Sequence, residues 1–191
     1  MKILVVVPKF PPETFGGAEF VSMWLSEAFG HQGHEVMLLT EESAEPDERF
    51  QVQGVEVVRA IKSPRAAGPS AYIEVLKAYR RFDPDVIHGH HVYPTGLWLH
   101  PLMRLSSVPV YVTSHAEDIR GNSEWDNGIR ANKLKRPMVE AAAKSCTKLI
   151  LCGSNLVSEA EDIQLPEDQY TVINNCIPLN DQELSSDTSS G

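Results

Sequence analysis

The sequence predicts an α/β domain, a parallel sheet with helices on both faces. Three observations lead there. Short runs at residues 3–7, 36–40 and 108–114 are almost wholly apolar, which suits strands covered on both sides. Between such runs lie segments whose apolar residues recur at helical spacing. The two kinds of segment alternate along the 191 residues, the order of β-α units in a parallel sheet.

The elements follow in order. ILVVV, residues 3–7, reads as the first strand. From Gly17, the residues Ala18, Val21, Leu25 and Ala28 form a helical stripe with Trp24 alongside, broken by Gly30 and Gly33. A second strand is expected at 36–40. EESAEPDERF, residues 41–50, reads as an acidic surface loop rather than a cation site. Residues 52–61 hold one or two short strands. Ser70 can cap a helix with Tyr72, Val75, Leu76 and Tyr79 on one stripe. A strand restarts near Val86, a helix is expected over 95–105, and "VPVYVTSH" gives another buried strand. Residues 129–145 read as a helix, "KLILCGS" as a strand, 155–163 as a short helix and "YTVINN" as a last strand. The domain is expected to span residues 1–178. Residues 179–191, LNDQELSSDTSSG, have almost nothing apolar to bury and read as a polar tail or truncated linker.

The net charge of -9 argues against a nucleic-acid partner, which needs clustered Lys and Arg to neutralise phosphates. It leaves room for phosphorylated small molecules, which need only a local site. Cys146, Cys152 and Cys176 form no C-x-x-C and read as reduced thiols of a cytoplasmic protein. The first apolar run is too short for a signal peptide or a membrane span. Arg130, Lys133, Lys135, Arg136, Lys144 and Lys148 form a basic segment that could reach anionic lipid heads in peripheral membrane contact. A solvated helix face is the plainer reading.

In an open parallel sheet, ligands bind outside the carboxyl ends of the strands. The stretches there are PKFPPETFGGAE, HGHHVYPTG, SHAEDIRGN, CGSN and NNCIP. Gly16 and Gly17 let a ligand approach the backbone, and the unpaired N–H groups of the helix they open favour an anion by about 0.3–1 kcal/mol. A phosphate or carboxylate suits them. No G-x-G-x-x-G, P-loop or G-x-S-x-G elbow is present. His88 and His90 should share one strand face, with His91 facing away. A zinc site lacks further ligands, so ligand-contacting histidines are preferred. His90, Tyr93 and Asn175, in loops that follow strands, are substrate-binding candidates. Asp83-Pro-Asp85 resembles the D-x-D signature that holds a divalent metal in some transferases, but turn chemistry explains it better. No metal and no cofactor are expected. His115 can bond a hydroxyl or shuttle a proton, and Asp118 can orient it; the two are the candidate catalytic residues.

Taken in order, MKILVVVPKFPPETFGGAE, GHEVMLLT, DPDVIHGHH, VTSHAED, ILCGSN and YTVINN resemble the amino-terminal domain of family-four glycosyltransferases of the GT-B fold, over residues 1–178. The resemblance implies a Rossmann-like sheet, one of two domains facing a cleft. It implies that this domain binds a sugar, lipid or small-molecule acceptor. A carboxyl-terminal domain, in cis or in trans, would bind the nucleotide-sugar donor, and a hexose would be transferred with retention and without metal. Gly16 and Gly17 match the family's glycine loop, near donor diphosphate or acceptor phosphate. His115 matches the histidine that contacts the transferred sugar, Asp118 a less regular acidic position, and Ser154 a structural serine. Cys176 and Pro178 depart from the family's N-G-[IV]-D ending, and the E-x7-E signature that would hold the donor belongs to the second domain, with nothing in these residues to replace it. The chain alone is therefore expected to be inactive. The rival reading is a stand-alone binding or docking subunit for a separate donor-domain protein, with an apolar face prepared for it. An unrelated nucleotide-binding regulator is weakened by the missing fingerprints.

Overall fold

In the computed structural model, which describes residues 1–12, 14–42, 51–62, 69–121, 128–175 and 177, seven parallel strands form one sheet. They are Lys2–Val6 (β1), Glu35–Glu41 (β2), Val55–Ile61 (β3), Val86–His90 (β4), Val110–Ser114 (β5), Lys148–Leu151 (β6) and Tyr170–Val172 (β7). The helices are Gly17–His31 (α1), Pro69–Phe82 (α2), Leu97–Leu105 (α3), Arg136–Ser145 (α4) and Val157–Asp162 (α5). The sheet order is β3-β2-β1-β4-β5-β6-β7. The chain therefore runs outward from β1 in one direction, crosses back through α2, and runs outward from β4 in the other. The connections part between β1 and β4, where an open α/β sheet forms its crevice.

Alternate residues of each strand feed two apolar layers. Leu4, Val6, Met37, Leu39 and Ile87 pack with Val75 and Phe82 of α2, Trp98 and Leu99 of α3, Val139 of α4 and Ala160 of α5. On the other face, Ile3, Val5, Val36 and Leu38 pack with Met23 and Phe29 of α1. Helices thus lie on both faces of the sheet. Strand β4 lies so close to α3 that a Cβ at Gly89 would meet Leu99 Cδ1 at 2.7 Å.

The elements depart from the sequence reading where prolines and faces decide. The helix expected over 129–145 is a 3₁₀ turn, Ile129–Ala131, followed by α4. Pro137 sits in the first turn of α4, where a missing N–H costs nothing; further inside a helix it would remove a bond. Before α3, Val92–Gly96 forms a wide turn in which Tyr93 is extended, so the expected helix starts at Leu97. α2 begins at Pro69, which places Ser70 inside its first turn rather than at its cap. Residues 52–61 give one strand. In α1 the deeply buried positions are Ser22 and Ser26, whose hydroxyls donate to the carbonyls of Glu19 and Ser22 at 2.8 and 2.7 Å. The stripe residues Val21, Leu25 and Ala28 instead edge a groove described below.

At the amino edge of the sheet, the Asp85 carboxylate accepts the Lys2 amide at 2.7 Å, and Asp83 takes a left-handed conformation at φ 51°. The Asp83-Pro-Asp85 stretch is a turn clamped to β1, at the end of the sheet remote from the crevice. Cys146 is buried, its thiol pushed up to about 12 by burial, and Cys152 is half-buried; both are free. The acidic stretch 43–50, Cys176, Pro178 and the expected tail lie outside the described residues. Among the described residues, no helix is long and apolar enough to cross a membrane. The basic segment is in part neutralised: Arg130 is buried among carboxylates, and Arg136 pairs with Glu140 at 3.0 Å.

Candidate functional site

A cleft of about 950 Å³ opens at the carboxyl edge of the sheet. Each wall comes from the loop that leaves one strand. After β1 come Pro8, Lys9, Thr14, Gly16 and Gly17; after β4, His91, Tyr93 and Pro94; after β5, His115, Glu117 and Asp118; after β7, Asn175. Glu41 at the end of β2 and Glu19 in the first turn of α1 complete it. Of the candidate residues named from sequence, Gly16, Gly17, Tyr93, His115, Asp118 and Asn175 line this one cleft. His90 does not. Its ring is 1% exposed and lies beneath His115.

Gly16 is the N-cap of α1 and has no side chain to cap it, so the N–H groups of the first turn face the cleft edge. Its extended backbone (φ -134°) needs no glycine. A Cβ there would meet the Glu19 carboxylate at 2.3 Å, whereas a Cβ at Gly17 would meet nothing within 4 Å. The helix end therefore already attracts a carboxylate from its own first turn, as its dipole favours. The rest of the lining is rich in hydroxyl partners: Glu41, Glu117, Asn175, His91 and His115. Such a set suits a polyhydroxylated ligand with an anionic group at one end.

Asp118 is 1% exposed. Its carboxylate accepts the Ser114 hydroxyl at 2.8 Å, the His115 amide at 3.1 Å and the Val92 amide. It thereby ties the β4 exit to the β5 exit and sets the backbone from which His115 projects.

The histidines form a stack rather than two faces. His88 and His90 lie on one face of β4 with ring centroids 4.6 Å apart. His90 Nδ1 meets His115 Nε2 at 3.0 Å, and His88 Nε2 meets Thr113 Oγ1 at 2.8 Å. His91 does not face away from the site. The strand ends at His90, His91 turns left-handed (φ 71°), and its ring stands 4.9 Å from His115. Alternation could not foresee this, because it holds only within a strand. Nor did Lys9, Glu19, Glu41 and Glu117 carry a local signal; they meet only through the sheet order.

Burial lowers the basicity of the stack. It pushes His88 down to about 4 and, with the nearby His91 and His88, His115 down to about 3; His90 shifts the same way. In the fold these rings are neutral at pH 7, whereas in the unfolded chain each titrates near 6.5. Below that value the unfolded chain binds more protons. Stability present above pH 6.5 is therefore lost as pH falls towards 4, by at most about 1.4 kcal/mol per pH unit for each buried ring. Urea midpoints should decline from about pH 7 to about pH 4.5; a flat profile contradicts a buried neutral stack.

A second, apolar groove of about 550 Å³ lies on the α1 face of the sheet, over β4, β5 and β6. Val21, Trp24 and Phe29 form one wall, and Tyr111, Ile150 and Ile173 line the rest. His88 and His90 belong to its lining, and Asn175 borders both spaces.

Comparison with known proteins adds the following. Residues 15–181 match the profile of Glycosyltransferase Family 4. The glycogen synthase of Mycobacterium tuberculosis is 27% identical over 208 aligned positions, which take in 93% of this chain and 48% of that protein. The O-antigen chain mannosyltransferase C of Escherichia coli is 26% identical over 178, with 91% and 45% covered. The chain spans about half the length of these relatives. Among solved structures, Anabaena Alr3699/HepE in complex with UDP superposes with a TM-score of 0.61 at 15% identity, over 97% of this chain and 48% of that one.

Proposed function

The chain belongs to Glycosyltransferase Family 4 and has the fold of one half of a GT-B glycosyltransferase; from this premise we propose that it is the acceptor-binding half of a retaining enzyme. A hexose would pass from a nucleotide-sugar to a sugar, lipid or small-molecule acceptor. The observation that carries this reading is the cleft itself. An uncapped helix N-terminus at Gly16 and Gly17 and the His115 ring line the same opening at the carboxyl edge of the sheet, among carboxylates suited to hydroxyls. In the proposed division of labour, the α1 terminus balances phosphate charge and His115 contacts the transferred sugar. Tyr93, Glu117 and Asn175 bind hydroxyls. Asp118 acts by holding the His115 loop, since its oxygens accept three internal bonds. His90 acts from beneath the cleft.

Stabilisation of the leaving diphosphate requires donors placed around it. In this reading they come from a donor-binding domain, in cis or in trans, as the relatives' double length suggests. The 191-residue chain alone is then expected to transfer no sugar from UDP- or GDP-hexoses. The chain joined to its donor-side half is expected to transfer with anomeric retention. Robust turnover by the chain alone sinks the proposal.

The apolar groove favours a second reading of the same surface. Parallel sheets are ordinarily covered on both faces, and among the described residues α1 leaves β4 to β6 open beside it. A docking subunit that pairs with a separate donor-domain protein would use such a face. Tight, salt-insensitive association with that protein, without catalysis, would support this reading over the first.

A further inference from the structure

We propose that His90 is a positioning residue that holds His115 in its Nδ1–H tautomer, so that His115 presents a hydrogen-bond donor to the cleft. The role in sugar contact rests on the reading above; the tautomer does not. The geometry is the 3.0 Å contact between His90 Nδ1 and His115 Nε2. Both rings are neutral near pH 7, so one proton lies between these nitrogens, and either ring can own it. If His115 Nε2 carries it, His90 must carry its own proton on Nε2. That atom is buried and has no partner among the described residues. An orphaned buried N–H is the rarer defect, and an unfilled acceptor the more tolerated one. The proton therefore belongs to His90 Nδ1, which donates to His115 Nε2. The remaining proton of His115 must then sit on Nδ1, the nitrogen not engaged by His90.

Two consequences follow for the cleft. His115 offers an N–H to a hydroxyl or phosphate oxygen, and it is not a general base in its resting form. The remainder of the stack supports the arrangement: His88 is fixed by Thr113, and its ring packs against His90 at 4.6 Å.

The experiment is long-range ¹H–¹⁵N correlation of the imidazoles in the ¹⁵N-histidine-labelled 191-residue chain at neutral pH, without ligand. Both His90 and His115 are expected as Nδ1–H tautomers, in about tenfold excess or more. In His90→Phe, His115 is expected to shift to the Nε2–H form that a solvated histidine side chain favours. A purely space-filling His90 would leave the tautomer of His115 unchanged. His115 as Nε2–H in the unaltered chain, exchange between the two forms, or an unchanged His115 in a folded His90→Phe overturns the proposal. If His90→Phe does not fold, the spectrum of the unaltered chain decides alone. Failure of the transferase reading leaves these spectra untouched, so the two can fail separately.

Discussion

Arg130→Met is expected to cost about 1–3 kcal/mol of stability, the range for leaving partly buried acceptors without their donor. Arg130 is 1% exposed, yet its guanidinium spans three segments. Nη2 meets Glu159 at 2.7 Å and Nη1 meets Asp162 at 2.7 Å, both on α5. Nη1 also lies 3.5 Å from Glu140 of α4, and Nε donates to the Ile119 carbonyl at 2.8 Å. Burial works against its charge, but the bonds and charges of Glu159 and Asp162 outweigh that and hold its pKa above the ordinary value. Glu159 also accepts the Gly121 amide at 3.0 Å, so the arginine fastens the loop leaving β5 to α5. Its loss leaves the half-buried Glu159 carboxylate without its guanidinium and loosens the segment behind His115. Equilibrium urea unfolding checks this. A loss under about 1 kcal/mol would show that the network breaks even with a methionine of similar length. Arg130→Lys should fall between, since an ammonium cannot reach so many partners from one plane.

The second large effect falls on transfer. In the chain paired with its donor-side half, His115→Ala is expected to lower kcat about 10²–10³-fold, as removal of one placed donor does elsewhere. The substitution also removes the partner of His90 Nδ1, so its stability has to be measured alongside its rate. His115→Asn sharpens the test, because its amide can return an N–H near the Nδ1 position. Partial recovery of rate in His115→Asn, with both variants folded, is the expected pattern. A change under about fivefold in His115→Ala would remove this residue from the chemistry.

Much of the fold was legible because parallel strands are buried on both faces and so read as unbroken apolar runs. Leu4 and Val5 lie in different layers, yet both are apolar. The α1 stripe was legible as a helix but not as a direction: Val21, Leu25 and Ala28 turn to the groove while serines pack inward. Two hydroxyls that bond their own backbone disguise a buried face as a polar one. The start of α4 depended on a proline, and the path of His91 on one left-handed residue. In the candidate site, the residues at the ends of β1, β4, β5 and β7 were readable from the carboxyl-edge rule. The strand face of His90 was readable, but its burial against His115 was not, because alternation gives the face of a residue and not its depth. Glu19, Glu41 and Glu117 reach the cleft from a helix start, a strand end and a loop, and no spacing in sequence records that meeting.

The most direct test of the central claim is a titration of the ¹⁵N-labelled chain with UDP- and GDP-hexoses and with acceptor oligosaccharides, followed by amide chemical shifts. The account predicts weak but saturable changes at Gly16, Gly17, His115 and Asn175, around one cleft. Changes confined to the apolar groove, or no change at millimolar ligand with any member of the panel, would contradict it.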